Sequence, residues 1–256
     1  MIWIEKLSHS KAKRWVGCHM SYKLHYIDQL PSKPGKAMDI GKASHSALET
    51  LMREAATVAD ETDQPVFLDR ARATMLCHEA CARNGVTGAY DVANVIDMVG
   101  WFVEDQEIVE PEMVLGLERS FQLPLANGVE LVGVIDRLDA GSRGGWVDVY
   151  DYKTNKRLYT DEELAEDLQL TLYAAAASRW WPKQDVRLHY WMLRHRQCQH
   201  IVRAPTEIAR ALAYMAEVAN EINSASVYEA MPNRWCEWCD HLHQCPEMGP
   251  IYGAMR

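Results

Sequence analysis

Three side chains near the middle of the chain, Asp136, Asp151 and Lys153, have the types and spacing for phosphodiester chemistry. They lie in Leu131–Lys156, LVGVIDRLDAGSRGGWVDVYDYKTNK. Its runs Leu131–Asp139 and Trp146–Thr154 are rich in Val, Ile, Leu, Trp and Tyr, and Gly141, Ser142, Arg143, Gly144 and Gly145 separate them. Two such runs about a glycine-rich turn predict a β-hairpin. With the turn centred near Arg143, Asp136 stands opposite Asp151. Side chains directly across an antiparallel pair are about 5 Å apart, where two ionised carboxylates repel unless a cation lies between them. A divalent ion such as Mg²⁺ or Mn²⁺ suits those oxygens. Strand alternation carries Lys153 to the face of Asp151. A metal there would activate water and neutralise the transition state of phosphodiester hydrolysis, with the lysine positioning or deprotonating the nucleophile. An isolated D-x-K is also common on plain exposed hairpins, so the rest of the chain must supply the context.

The chain that must position these groups has 256 residues, enough for one large α/β domain with a substantial core. A formal net charge of -9 argues against a nucleic-acid coat protein, which would be basic, but not against a nuclease, whose catalytic acids add negative charge. No signal-peptide pattern and no long apolar run stand out, so a cytoplasmic protein without membrane association is expected. Seven cysteines in that compartment point to metal or core roles rather than disulfides.

Ser8–Asp28 reads as a helix with Trp15, Cys18, Tyr22 and Tyr26 on one face. Lys6, Lys11, Lys13, Arg14, Lys23, Lys33 and Lys36 outnumber Glu5 and Asp28 around it, a basic segment that faces either phosphate or solvent. After a PSKPG linker, Met38–Asp60 has helical spacing and sets His45 one turn from Glu49. Two helices, Phe67–Arg83 and Tyr90–Ile108, come next around an NGVTG turn, with Cys77 and Cys81 as core residues of the first. Met113–Leu125 reads as a strand carrying Glu118, either an orienting group for a second metal or the lysine, or a plain edge carboxylate. Beyond the hairpin, Asp161–Trp181 reads as a helix with Gln169 and Tyr173 one turn apart. Asp185–Arg203 forms two strands around an RHR turn, and Pro205–Asn223 a helix. Arg187, Arg194, Arg196 and Arg203 make the clearest basic block, and Arg187, Arg194 and Arg196 are candidate DNA contacts.

The C-terminal RWCEWCDHLHQCP holds Cys236, Cys239 and Cys245 in a C-x2-C-x5-C pattern that packing alone does not explain. A fourth ligand from His241 or His243 would make a zinc site, and a distant cysteine would make a four-thiolate iron–sulfur site. Cys18, in its aromatic and basic setting, is the distant candidate.

Taken in order, Cys18, GKASHSALE, GVIDRLD, VYDYKTNK, QLTLY and the terminal cysteines make the chain resemble the PD-(D/E)XK nuclease superfamily. Within it, the resemblance is to the Cas4-like and RecB-nuclease-like exonucleases that carry an iron–sulfur cluster. The resemblance implies an α/β fold, a restriction-endonuclease-like mixed β-sheet flanked by helices. It implies His45, Asp136, Asp151 and the Tyr152 backbone carbonyl as ligands of Mg²⁺ or Mn²⁺, Lys153 as the catalytic lysine, and Gln169 and Tyr173 as the Q-x-x-x-Y element. It assigns Cys18, Cys236, Cys239 and Cys245 to a [4Fe–4S] cluster. His19 succeeds Cys18 where many relatives have proline, and the stretch between His45 and Glu118 carries no familiar motif.

The expected protein is a single nuclease domain over residues 1–256, with an iron–sulfur module from 1–36 and 224–256 and a helical insertion at 61–112. Its expected activity is Mg²⁺- or Mn²⁺-dependent cleavage of DNA, as an exonuclease on single-stranded ends. Recombination, helicase or CRISPR-adaptation partners and a homo-oligomer are compatible with it. The alternative is a non-catalytic DNA-binding or assembly subunit.

Overall fold

A computed structural model describes residues 3–32, 35–141 and 145–253. In chain order the elements are β1 (Lys6–Ser8), α1 (His9–Gly17), α2 (His19–Tyr22), a π-helical turn (Lys23–Ile27), α3 (Lys36–Thr62), β2 (Val66–Phe67), α4 (Arg70–Arg83) and α5 (Ala89–Gln106). Then come β3 (Ile108–Val109), β4 (Val114–Pro124), β5 (Glu130–Ala140), β6 (Trp146–Lys153), α6 (Asp161–Ala165), α7 (Leu168–Trp180), β7 (Asp185–Met192), β8 (Gln197–Val202), α8 (Pro205–Ser224) and α9 (Gly249–Gly253). Two compact units result. One draws on the described residues of Met1–Pro34, Gln122–Gly133 and Ala209–Arg256, the other on Gly35–Phe121 and Val134–Ile208.

The second unit is built on a mixed sheet flanked by helices. β6 pairs antiparallel with β5 and parallel with β7, β7 pairs antiparallel with β8, and β4 pairs with β5. Val147, Val149, Asp151 and Tyr152 of β6 are all buried, as a central strand covered on both faces requires. One cover is the layer of α3, α4 and α5. Leu48, Met52, Leu76, Val99 and Phe102 from these helices form one cluster with Tyr152. Cys77 and Cys81 are buried in that cluster, and burial pushes the Cys77 thiol up to about 12, so both act as small apolar side chains.

A buried ion pair supports the same sheet. Arg137 donates through Nε to Asp139 Oδ1 at 2.8 Å and through Nη2 to Oδ2, with both residues almost fully enclosed. Removing one partner of such a pair strands the other charge. Arg137→Met is therefore expected to cost about 3–5 kcal/mol, read as a lowered urea midpoint by circular dichroism.

In the first unit β1 runs parallel to the start of β5, Leu7 facing Leu131. Trp15 stacks on His19 with ring centroids 3.9 Å apart and donates its indole N–H to Glu221 at 3.0 Å. Asn223 Oδ1, buried on α8, accepts the Ile4 backbone N–H at 2.7 Å.

Several predicted elements differ from those formed. The helix expected over Ser8–Asp28 is broken at Cys18, whose backbone is extended (φ -172°, ψ 117°). Its sulfur accepts the Ser21 backbone N–H at 3.5 Å, so Cys18 caps α2. The helix expected over Asp161–Trp181 is two, because the Asp167 carboxylate accepts the Leu170 N–H at 2.8 Å and starts α7 afresh. Phe67 belongs to β2 rather than α4, which starts after the Asp69 cap. Of the predicted hairpin turn, Ser142, Arg143 and Gly144 lie outside the described residues, as does Lys33 of the basic segment. Gly145 is described and has φ 80°, a conformation that favours glycine.

Candidate active site

The hairpin register pairs Arg137 with Tyr150 and Leu138 with Val149. Continued by one residue, it sets Asp136 against Asp151. On these two interior strands the site is assembled together with α3 and α7. Asp136 Oδ2 accepts the Tyr152 backbone N–H at 2.9 Å, which fixes one carboxylate against the neighbouring strand. His45, in the middle of α3, reaches both strands: its Nε2 donates to the Tyr152 carbonyl at 2.7 Å and its Nδ1 lies 3.3 Å from Asp136 Oδ2. Lys153 Nζ sits 2.7 Å from Asp151 Oδ2 and donates to Gln169 Oε1 at 3.0 Å. Gln169 in turn donates to the Tyr173 hydroxyl at 2.8 Å, and that hydroxyl donates to Asp151 Oδ1 at 3.3 Å. Thus α7 closes a ring through Lys153, Gln169, Tyr173 and Asp151.

These groups line one open pocket of about 570 Å³, with Lys42, Glu49, Glu118, Thr154 and Asn155 among its other walls. One ligand atom each of His45, Glu118 and Asp136 falls within 4.8 Å of the others, a spacing that admits a metal ion. Asp151 and the Tyr152 carbonyl adjoin them.

The electrostatics fit that use. Burial lowers the affinity of His45 for a proton, but Asp136, Asp151 and the Tyr152 carbonyl more than offset it and lift its pKa to about 9. A protonated imidazole thus occupies the place a cation would take, bonded to two groups named as metal ligands from the sequence. Burial and then the Asp136 charge push Asp151 up to about 6, against the opposing pull of Lys153. Lys153 is itself raised, because Asp151 outweighs its burial. Burial, Asp136 and Glu49 push Glu118 up to about 7. Excess carboxylate packed about one imidazole and one ammonium is a donor set short of positive charge, as a divalent-metal site is before loading.

Glu118 stands out from its strand. Its φ of 45° is left-handed in the middle of β4, and regular alternation of burial resumes only after it. Non-glycine residues are held in that region at a cost, most often at functional sites. A carboxylate whose folded pKa is raised from 4.5 to about 7 contributes stability that is complete below pH 4.5 and lost as pH rises through 7. Glu118→Gln should therefore raise the melting midpoint of the chelator-treated protein at pH 8 by roughly 2–4 °C and leave it unchanged at pH 4.5. Equal shifts at both pH values would contradict the assignment.

The sequence offered Glu118 only as one of two readings, and Thr154, Asn155 and Lys42 carried no signal. Tyr190 was also missed. It lies opposite Asp151 in the parallel β6–β7 pair, with the Lys153 ammonium 4.5 Å from its ring centroid.

The three arginines named as DNA contacts are each engaged within the second unit. Arg187 binds Asp148 through two bonds of 2.6 and 2.9 Å. Arg194 donates to the Thr154 carbonyl and to Asn94, both at 3.2 Å. Arg196 meets Asp105 at 2.6 Å and Glu104 at 3.1 Å.

In the first unit, Cys18, Cys236, Cys239 and Cys245 are free thiols that line one cavity of about 460 Å³, together with Arg14, Trp235 and Trp238. Among the described residues, no three of these sulfurs lie within 4.8 Å of one another.

A carboxylate pair and a lysine on adjacent strands of a mixed sheet, with a histidine from a flanking helix, is the kind of site that metal-dependent nucleases use. The family profile of the PD-(D/E)XK nuclease superfamily matches residues 6–246, and the chain belongs to that superfamily. Membership implies a nuclease hydrolase, with DNA as the substrate that such a family suggests. Enzymes of the superfamily typically use divalent metal ions. No curated protein matches the chain in sequence. A solved structure described as the crystal structure of SSO0001 is similar with a TM-score of 0.39 at 14% identity, over 78% of this chain and 96% of that one. No helix among the described residues is long and apolar enough to cross a membrane.

Proposed function

We propose that the protein is a Mg²⁺- or Mn²⁺-dependent deoxyribonuclease, an exonuclease acting on single-stranded DNA ends. The observation that carries this reading is the convergence of His45, Glu118 and Asp136 beside Asp151 and Lys153 in one open pocket. Asp136, Asp151, the Tyr152 carbonyl and His45 would hold the metal, and Glu118 joins them as a further oxygen donor. When bound, the metal supplies charge to offset the pentacovalent phosphate and acidity to the attacking water. As a ligand His45 would be neutral, offering a ring nitrogen that in the metal-free protein bonds the Tyr152 carbonyl or Asp136. Asp151 raises the pKa of Lys153, which suits the ammonium to orienting the nucleophile and stabilising developing charge. Gln169 and Tyr173 hold Lys153 and Asp151 in place.

The same reading assigns Cys18, Cys236, Cys239 and Cys245 to a [4Fe–4S] cluster. Four thiolates around a tetrahedral zinc, at about 2.3 Å from it, would lie about 3.8 Å apart. The four thiols line one common cavity, and four thiolates are the ligand set an iron–sulfur cluster takes. The paired state of Arg187, Arg194 and Arg196 gives them a structural use first, and contact with DNA would be through their remaining N–H groups.

The test is cleavage of end-labelled single-stranded and duplex DNA by anaerobically purified protein with Mg²⁺, Mn²⁺ or EDTA. Metal-dependent shortening from the ends of the single strand supports the proposal. Internal cuts, or a preference for duplex, would correct the exonuclease or strand assignment. Binding without cleavage in either metal would identify a non-catalytic subunit.

A further inference from the structure

We infer that the first unit holds a second, mononuclear metal site formed by His25, Asp240 and His241, suited to Zn²⁺ and adjoining the cavity of the four thiols, which Asp240 and His241 also line. One ligand atom of each residue lies within 4.8 Å of the others. His25 Nδ1 and His241 Nε2 are 3.3 Å apart. Two nitrogens bound at about 2.0–2.1 Å to a tetrahedral zinc stand about 3.3–3.4 Å apart, whereas a direct N–H bond settles nearer 2.9–3.0 Å. The rings do not stack. Their planes are inclined at 53° with centroids 5.5 Å apart, so nitrogen edges rather than faces meet.

Two features point the same way. His241 is fully enclosed, so its ring is held facing His25 away from solvent. His25 sits in the π-helical turn Lys23–Ile27, a rare local geometry that is frequent at functional sites. Asp240 gives Oδ2 to Arg14 at 3.1 Å, which orients the carboxylate and leaves Oδ1 for the metal.

Two imidazoles and one carboxylate are a borderline set that prefers zinc to the hard cations favoured by an oxygen-rich pocket. Three protein ligands leave a fourth position for water. The histidines are 216 residues apart, so the ion would join the N-terminal turn of the unit to its cysteine-bearing segment.

The test uses the full chain purified anaerobically, equilibrated with Zn²⁺ and freed of excess. Elemental analysis should give one zinc per chain, and zinc-edge X-ray absorption should show nitrogen or oxygen scatterers at about 2.0 Å with no sulfur at about 2.3 Å. His25→Gln and Asp240→Asn should each weaken zinc by roughly tenfold or more against a chromophoric chelator, with iron content unchanged. Sulfur in the zinc shell, substoichiometric zinc in the wild type, or unaltered affinity in His25→Gln would each overturn the inference. Because zinc in the pocket of His45, Glu118 and Asp136 would give the same shell, the absorption measurement is repeated on Asp136→Asn, and iron content reports separately on the thiol cluster.

Discussion

Lys153→Ala should lower the rate of DNA cleavage by about 10²–10⁴ while leaving the melting midpoint within a few degrees of the wild type. The ammonium is held by Asp151 at 2.7 Å and by Gln169 at 3.0 Å, which fixes its positive charge beside the carboxylates. Truncation removes an interaction that strengthens as charge develops on phosphate, so the loss should fall on kcat rather than KM. Asp151→Asn should be at least as damaging, because it weakens both the metal and the anchor of the lysine. Adding Mn²⁺ in place of Mg²⁺ should recover part of the Asp151→Asn loss but none of the Lys153→Ala loss. Undiminished cleavage by either variant would remove these residues from the mechanism.

Cys236→Ser should strip iron from the protein and lower the thermal midpoint by roughly 10 °C or more. The reason is topological. Cys18 precedes α2, whereas Cys236, Cys239 and Cys245 sit in short 3-10 turns with no long helix or strand among them, a segment poor in secondary structure of its own. Ligation across that separation closes a very long loop of the unfolded chain. Cys77→Ser, in the core of the other unit, is the control: it should cost stability without changing iron content. A colourless wild type that carries zinc on sulfur would favour the zinc alternative through these cysteines. Full iron content in Cys236→Ser would exclude Cys236 as a ligand.

Much of the site could be read in advance because it sits on regular alternation. Asp136, Asp151 and Lys153 lie on two strands whose observed register agrees with the one deduced from the sequence. The features that escaped were set by backbone conformation rather than by residue pattern. Apolar spacing through Trp15, Cys18 and Tyr22 is helical, yet it carries no record of the extended φ at Cys18. The three-residue β1 is too short to show a period. Asp167 is an ordinary acidic residue in the sequence and becomes a helix start only through its bond to Leu170. Glu118 stays between two readings, an orienting group or a plain edge carboxylate, because its left-handed φ leaves no trace in residue type.

The placement of His45 inside a 27-residue helix sets how the gene could lengthen or shorten without losing the site. Each residue added to an α-helix rotates all residues downstream of it by about 100°. His45 is bonded to β6, and Leu48, Leu51 and Met52 just beyond it are packed in the core. An insertion between His45 and Met52 would therefore swing either the imidazole or the apolar stripe out of register, with no loop nearby to absorb it. The turn after Thr62 has no such coupling. Insertions and deletions should accumulate between α3 and α4 and be purged from the stretch that connects His45 to its packing.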